Sequence, residues 1–238
     1  MNRLVDFPVL PAFTEGDALK FPLTPYASAA SYFGDYAKEM SRAAQTIDPA
    51  AFDRAAAILV EAYENGAHTF SCGNGGSASI ANHMQCDHVK GIQLSTDLTP
   101  SAFSLSTNVE LLTAIANDIG YENVFACQLQ SQSERGDVLI AFSSSGRSAN
   151  IVRALSWARD SGLRTIAVTG FDGGAARNLA EVSLHVDSTN YGIVEDLHQA
   201  IMHALAQYIR QSRMSPDLVS AIVFLNPDNS AAASSESM

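Results

Sequence analysis

A parallel β-sheet covered by helices on both faces is the architecture this sequence predicts, and three observations predict it. From about residue 66 onward, short apolar strands alternate with helical segments. The strands are apolar on both sides, as in VLIAF at 138–142, which suits a sheet buried on two faces. Two strand exits are rich in glycine or serine and run straight into helices, where open parallel sheets bind their ligands. The expected class is α/β, a three-layer α/β/α sandwich with a five-stranded parallel sheet, preceded by an N-terminal helical hairpin.

The elements follow in order. Residues 1–25 hold Pro8, Pro11, Pro22 and Pro25 and read as an extended arm. A first helix is expected over 26–46, with Tyr32, Phe33, Tyr36 and Met40 at near-helical spacing. Asp48 and Pro49 then supply an N-cap and a first helical position for a second helix, which ends at Asn65-Gly66. Strands are expected at 68–72, 102–105, 138–142, 165–168 and 182–186. Helices are expected between them at 77–90, 109–117, 124–131, 149–161 and 175–179. A last helix over 193–212 carries Val194, Leu197, Ile201, Leu205 and Tyr208 as its apolar stripe. This gives an arm over 1–25, one domain over 26–214, and a tail over 215–238 whose end, NPDNSAAASSESM, is low in apolar bulk.

Composition narrows the function classes. The chain has 238 residues, 47% of them apolar and only 16% charged, and a formal net charge of −11. Such an acidic chain is a poor electrostatic partner for nucleic acid or an anionic membrane, so neither is expected. No apolar run approaches the ~20 residues a membrane helix needs, and the first residues do not resemble a secretory signal. Cys72, Cys86 and Cys127 form no CxxC pair and read as free thiols of a cytoplasmic protein.

The first glycine-rich exit is Ser71-Cys72-Gly73-Asn74-Gly75-Gly76-Ser77. Its glycines let backbone come close to a ligand, and the next helix points free N–H groups at the same spot. The second is Ser143-Ser144-Ser145-Gly146-Arg147-Ser148, where hydroxyls and helix N–H groups make a phosphate cradle without lysine. Each alone could be a structural turn or a serine-capped helix. Two on one sheet point to a phosphate or sugar ligand. Neither is a full GxGxxG setting or a GxxxxGK[ST] loop. Arg147 could add charge to the cradle or point to solvent.

At GNGGS, at SSSGRS and at LTAIANDIGYENVF the chain resembles the SIS (sugar isomerase) domain family, the phosphoheptose isomerases in particular. The resemblance runs from about residue 36 to 210 and takes in VTGFDGG and VEDLHQAIMHAL. It implies a phosphosugar aldose–ketose isomerase, a homotetramer with sites where subunits meet, and a small sugar phosphate as ligand. Ser143, Ser144, Ser145 and Ser148 would grip the phosphate. Asn74, Gly75, Gly76, Ser77, Asn108 and Glu195 would contact the sugar. The resemblance places catalysis on Asp87 as base and His203 as acid. It also implies that His83, Asp87, Glu195 and His203 could hold Zn²⁺, as some members do. Asp87 stands where these isomerases have glutamate, and Glu195 where they usually have glutamine. The turn Ser106-Thr107-Asn108 lacks an acidic residue they often place there.

Helical spacing is consistent with that set. His83 and Asp87 are four apart and share a face. Glu195 and His203 are eight apart, about 80° around the helix. Plainer readings stand beside it: Asp87 paired with Lys90 on the surface, or Glu195 as a first-turn acid. Cys86, His68, His88, His185 and His198 read as buried or packing residues. The rival function is a non-catalytic SIS protein that binds a sugar phosphate as regulator or assembly factor. A phosphosugar isomerase of capsule or glycan synthesis is a third reading.

Overall fold

The computed structural model describes residues 21, 22 and 24–224, so most of the arm and the last residues of the tail lie outside the description. The elements are α1 (Ala29–Ala44), α2 (Pro49–Glu64), β1 (His68–Gly73), α3 (Gly76–Cys86), β2 (Ser101–Ser104), α4 (Val109–Asp118), α5 (Ala126–Gln132), β3 (Val138–Ser143), α6 (Ala149–Asp160), β4 (Arg164–Thr169), α7 (Gly174–Leu179), β5 (Val182–His185), α8 (Tyr191–Arg213) and α9 (Pro216–Phe224). All five strands are parallel, in the order β2-β1-β3-β4-β5. The expected sandwich and its strands are found within a residue or two.

That order creates the crevice. From β1 the chain crosses outward to β2, then returns past β1 to β3. The exits of β1 and β3 are therefore neighbours whose connections leave in opposite directions, the switch point at which parallel sheets bind ligands. Register sets Gly73 beside Phe142, so the glycine-rich and serine-rich loops emerge side by side.

Alternation along each strand feeds two cores. Val138, Ile140 and Phe142 face α1, α2, α3 and α8. Leu139 and Ala141, with Phe70 and Cys72 of β1, face the helices on the other side. Asp48 accepts from the Ala50 N–H (3.0 Å) with Pro49 as the first residue of α2, as the sequence predicts. Phe21, at the end of the arm, is buried against the rings of Tyr32 and Tyr36. Tyr36 donates to Asp196 (2.6 Å), which ties α1 to α8.

Several expectations are corrected. The helix expected over 77–90 is α-helical only to Cys86; Asp87–Ile92 is a π-helical turn, a widened form found disproportionately at functional sites. Within it His88 is buried and bonds Tyr63 of α2. Tyr208 is exposed, and Ile209 takes its place in the buried stripe of α8. Phe33 is likewise exposed at 68% on α1. Cys86 is exposed rather than buried. His68 is half-exposed, its ring edge-on to Phe70 and Phe103. Part of the tail over 215–238 is helix α9; its end from 225 lies outside the described residues.

His88 and His198 are both enclosed, and burial pushes each imidazole down to about 4 from an ordinary 6.5. The folded state holds them neutral while the unfolded chain protonates them near 6.5. Their contribution is therefore complete above that pH and is lost as pH falls toward 4, by about 3 kcal/mol each. Urea midpoints should drop across this window, and His198→Asn should flatten the drop. A midpoint constant from pH 6.5 to 4 would contradict the assignment.

Candidate functional site

The loop after β1 turns at Gly75, whose φ of +54° is a left-handed conformation that glycine adopts without strain. Gly76 follows as the first residue of α3. A Cβ there would lie 2.5 Å from Glu195 Oε2 of α8, so the Glu195 carboxylate lies against this turn only because Gly76 has no side chain. α3 has no side-chain cap, and Ser77 in its first turn is buried and lines the crevice.

The loop after β3 is built by its own serines. Ser143 Oγ accepts from the Gly146 N–H (3.1 Å) and Ser145 Oγ from the Arg147 N–H (3.3 Å). Ser148 occupies the N-cap of α6, yet its hydroxyl makes no capping bond. It lines a cavity of about 170 Å³ with Asn74, Ser77, Ser143, Ser144, Ser145 and Glu195. Phe142 and Tyr191, unforeseen in the sequence, complete the wall. Among the described residues no basic side chain lines this cavity. Arg147 instead pairs with Asp172, holding that carboxyl below the usual carboxylate range. An anion here meets hydroxyls and the free N–H groups of α6.

The two loops are fastened together by a reciprocal amide pair. Asn74 Nδ2 donates to Asn150 Oδ1 (2.9 Å), and Asn150 Nδ2 donates to Asn74 Oδ1 (2.8 Å). Tyr121 Oη adds a third bond to Asn74 Oδ1 (2.9 Å). Asn150 is buried, at 2% exposure. Asn108 stands apart: it caps α4, accepting from the Leu111 N–H (2.9 Å).

A second group lies along α3 and α8. Asp87 Oδ2 is 2.6 Å from His203 Nδ1, and Asp87 Oδ1 is 3.4 Å from His83 Nε2. The two imidazoles meet edge to face, with centroids 4.8 Å apart. His83, Asp87 and His203 can each offer one donor atom within 4.8 Å of the others. Two nitrogens and a carboxylate oxygen, half-exposed, fit Zn²⁺ with an open coordination position. Glu195 is outside this group and faces the loops. Gln199 stands in it, with Nε2 2.8 Å from His203 Nε2 and 3.4 Å from His83 Nδ1. Asp87 is engaged by the histidines, and no ion pair with Lys90 is among its described contacts.

α8 connects the cavity to this group. Tyr191, Glu195, Gln199 and His203 follow at four-residue steps, each rising about 6 Å. The C-terminal part of α8 is fixed by Arg210, which donates to Leu94 O (2.9 Å), and by Arg213, which bridges Asp97 and Glu64. Both ties reach the segment that leaves the π-helical turn bearing Asp87. Neither Gln199 nor Asn150 carries a sequence signal of its own; each gains its place only from the side chains that meet it.

Comparison with known proteins identifies a family. The SIS domain matches residues 31–170. Phosphoheptose isomerase of Helicobacter pylori (strain P12) is 40% identical over 154 residues, 65% of this chain and 80% of that protein. That of Aliarcobacter butzleri (strain RM4018) is 38% identical over 157 residues, 66% of this chain and 82% of that one. Among solved structures, phosphoheptose isomerase from Neisseria gonorrhoeae superposes with a TM-score of 0.70 at 30% identity, covering 76% of this chain and 96% of that one. The Francisella tularensis enzyme gives 0.71 at 32%, with the same coverage.

If the amide pair holds the loops in place, Asn74 and Asn150 are energetically coupled. Asn150→Ala should cost about 1–3 kcal/mol in urea unfolding. The Asn74→Ala and Asn150→Ala double-mutant cycle should show a coupling of about 0.5 kcal/mol or more. Strictly additive losses would mean that the two loops are held independently.

Proposed function

The chain belongs to the SIS domain family and within it to the phosphoheptose isomerases, and we propose that it interconverts an aldose and a ketose phosphate, with sedoheptulose 7-phosphate as substrate. The observation that carries the reading is the 2.6 Å contact between Asp87 Oδ2 and His203 Nδ1, set on the same two helices that wall the serine-rich cavity.

The serine hydroxyls at 143–145 and 148 and the N–H groups of α6 take the phosphate. The open sugar chain then runs along α8 toward His203. Asp87 removes the proton from the carbon next to the carbonyl, and the C–H electron pair becomes the C=C of a cis-enediolate. His203 carries a proton between the two oxygens. Return of the proton from Asp87 to the neighbouring carbon completes the exchange. Glu195, on the cavity wall, takes substrate hydroxyls as hydrogen-bond donors. His83, Asp87 and His203 are the residues that would hold Zn²⁺, which when bound supplies a Lewis acid for the carbonyl.

We further read residues 26–214 as one SIS domain of a cytoplasmic homotetramer. The exposed Val109, Ile119, Tyr121 and Tyr191 support assembly of copies around the site. No described helix is long and apolar enough to cross a membrane.

Asp87→Asn should lower turnover of sedoheptulose 7-phosphate roughly a hundredfold or more, with KM changed only a few-fold. Turnover near that of the unaltered protein would overturn the assignment. Binding of the sugar phosphate with no turnover in the unaltered protein would favour the regulator or assembly-factor reading. Untagged protein should carry near-stoichiometric zinc by elemental analysis, lost in His203→Ala. Zinc retained in that variant would remove His203 from the ligand set.

A further inference from the structure

We infer that Tyr63 of α2 is a positioning residue: its hydroxyl, bonded to His88, holds the π-helical turn that begins at Asp87 and so sets where the Asp87 carboxylate lies. What Asp87 does there rests on the isomerase reading; the positioning does not. Asp87 and His88 are the first two residues of the turn, and they face different ways. Asp87 reaches His203 of α8, at 2.6 Å. His88 is 1% exposed and turned into the core. There Tyr63 Oη and His88 Nδ1 are hydrogen-bonded, and the two rings stand edge to face with centroids 5.9 Å apart. Tyr63 is itself buried, and the small space beside His88 is walled by apolar side chains, Met84, Phe142, Ile201 and Leu205 among them. A hydroxyl and an imidazole enclosed in this way satisfy each other, and removal of one leaves the other desolvated without a partner.

A π-helical turn is rare and wider than the α-helix that leads into it, so contacts from outside the turn must favour it. Among the described residues, His88 is the one side chain of the turn, Asp87 apart, with a hydrogen bond to another helix. The next residue of α2 secures the chain beyond the turn: Glu64 accepts from Arg213 (2.7 Å), whose guanidinium also donates to Asp97 (3.0 Å). Consecutive residues of α2 thus hold the turn and the segment that leaves it. An aspartate has a single methylene between backbone and carboxyl, so any shift of the turn passes almost undiminished into the 2.6 Å contact with His203. Tyr63 lines neither the serine-rich cavity nor the His83, Asp87 and His203 group, so it acts on the site only through the turn.

The test compares the full-length protein with Tyr63→Phe, which removes only the hydroxyl, by hydrogen–deuterium exchange and by turnover of sedoheptulose 7-phosphate. Amides of residues 87–92 should exchange roughly tenfold faster or more in Tyr63→Phe, while those of β3 keep their rates. In the same variant kcat should fall roughly tenfold, with KM within about twofold. Leu59→Val, which loosens the same core from α2 without touching the pair, should leave both the turn and kcat as they are. The double variant Tyr63→Phe with His88→Leu removes both polar partners, so its urea midpoint should return toward that of the unaltered protein while kcat stays low. Unchanged exchange over 87–92 in Tyr63→Phe overturns the inference, as does an increase spread equally over the core strands. Recovery of kcat together with the midpoint in the double variant also overturns it, because packing alone would then place Asp87. Failure of the isomerase reading would show differently, as an unaltered protein that turns over no sugar phosphate while the exchange of residues 87–92 still decides the role of Tyr63.

Discussion

The site depends on how closely α3 and α8 approach at the point where Gly76 faces Glu195. A Cβ on Gly76 would lie 2.5 Å from Glu195 Oε2, so the bare backbone there is what gives the Glu195 carboxylate its place against α3. From that contact the helices run on together. α3 and the turn after it bring His83 and Asp87, and α8 brings Gln199 and His203. The serine-rich cavity at one end and the Asp87–His203 pair at the other therefore sit on one frame, of the kind that can hold groups to a fraction of an ångström.

The electrostatics fit an acidic chain. With a net charge of −11 the protein has little long-range attraction to offer a sugar phosphate. An anion in the serine-rich cavity would be held at short range, by serine hydroxyls and the N-terminal amides of α6, while the nearby Arg147 is paired with Asp172. The buried imidazoles obey the opposite rule. His88 and His198 sit where a charge would be desolvated, so they stay neutral and contribute structure rather than chemistry.

Most of the frame was legible in the sequence because it rests on local patterns. A strand such as VLIAF is apolar on both faces wherever it lies, and Asp48-Pro49 caps a helix without help from the rest of the chain. The glycine and serine loops showed themselves for the same reason. The features that went unread are tertiary. Cys86 ends α3 on its solvent side, exposed, and the chain widens into a π-helical turn directly after it. Tyr208 keeps the right spacing for burial but gains no cover. Asn150 is an ordinary second residue of α6 until Asn74 meets it from another strand, and Gln199 an ordinary helix residue until two histidines converge on it. Asn108 carries a strong local signal, that of an N-cap, and it caps α4.

The amide pair between Asn74 and Asn150 has a consequence for selectivity. Because the loops are fastened to each other before any ligand arrives, the seat is prepaid in conformational entropy. A seat of that kind recognises the anion as such, whatever carbon chain is attached to it. If the cavity takes the phosphate as proposed, free inorganic phosphate would compete for the same place, and the occupancy available to a sugar would follow the phosphate level of its surroundings. Discrimination between one sugar and another would then fall to the far end of α8, where chain length would decide whether a carbonyl reaches His203.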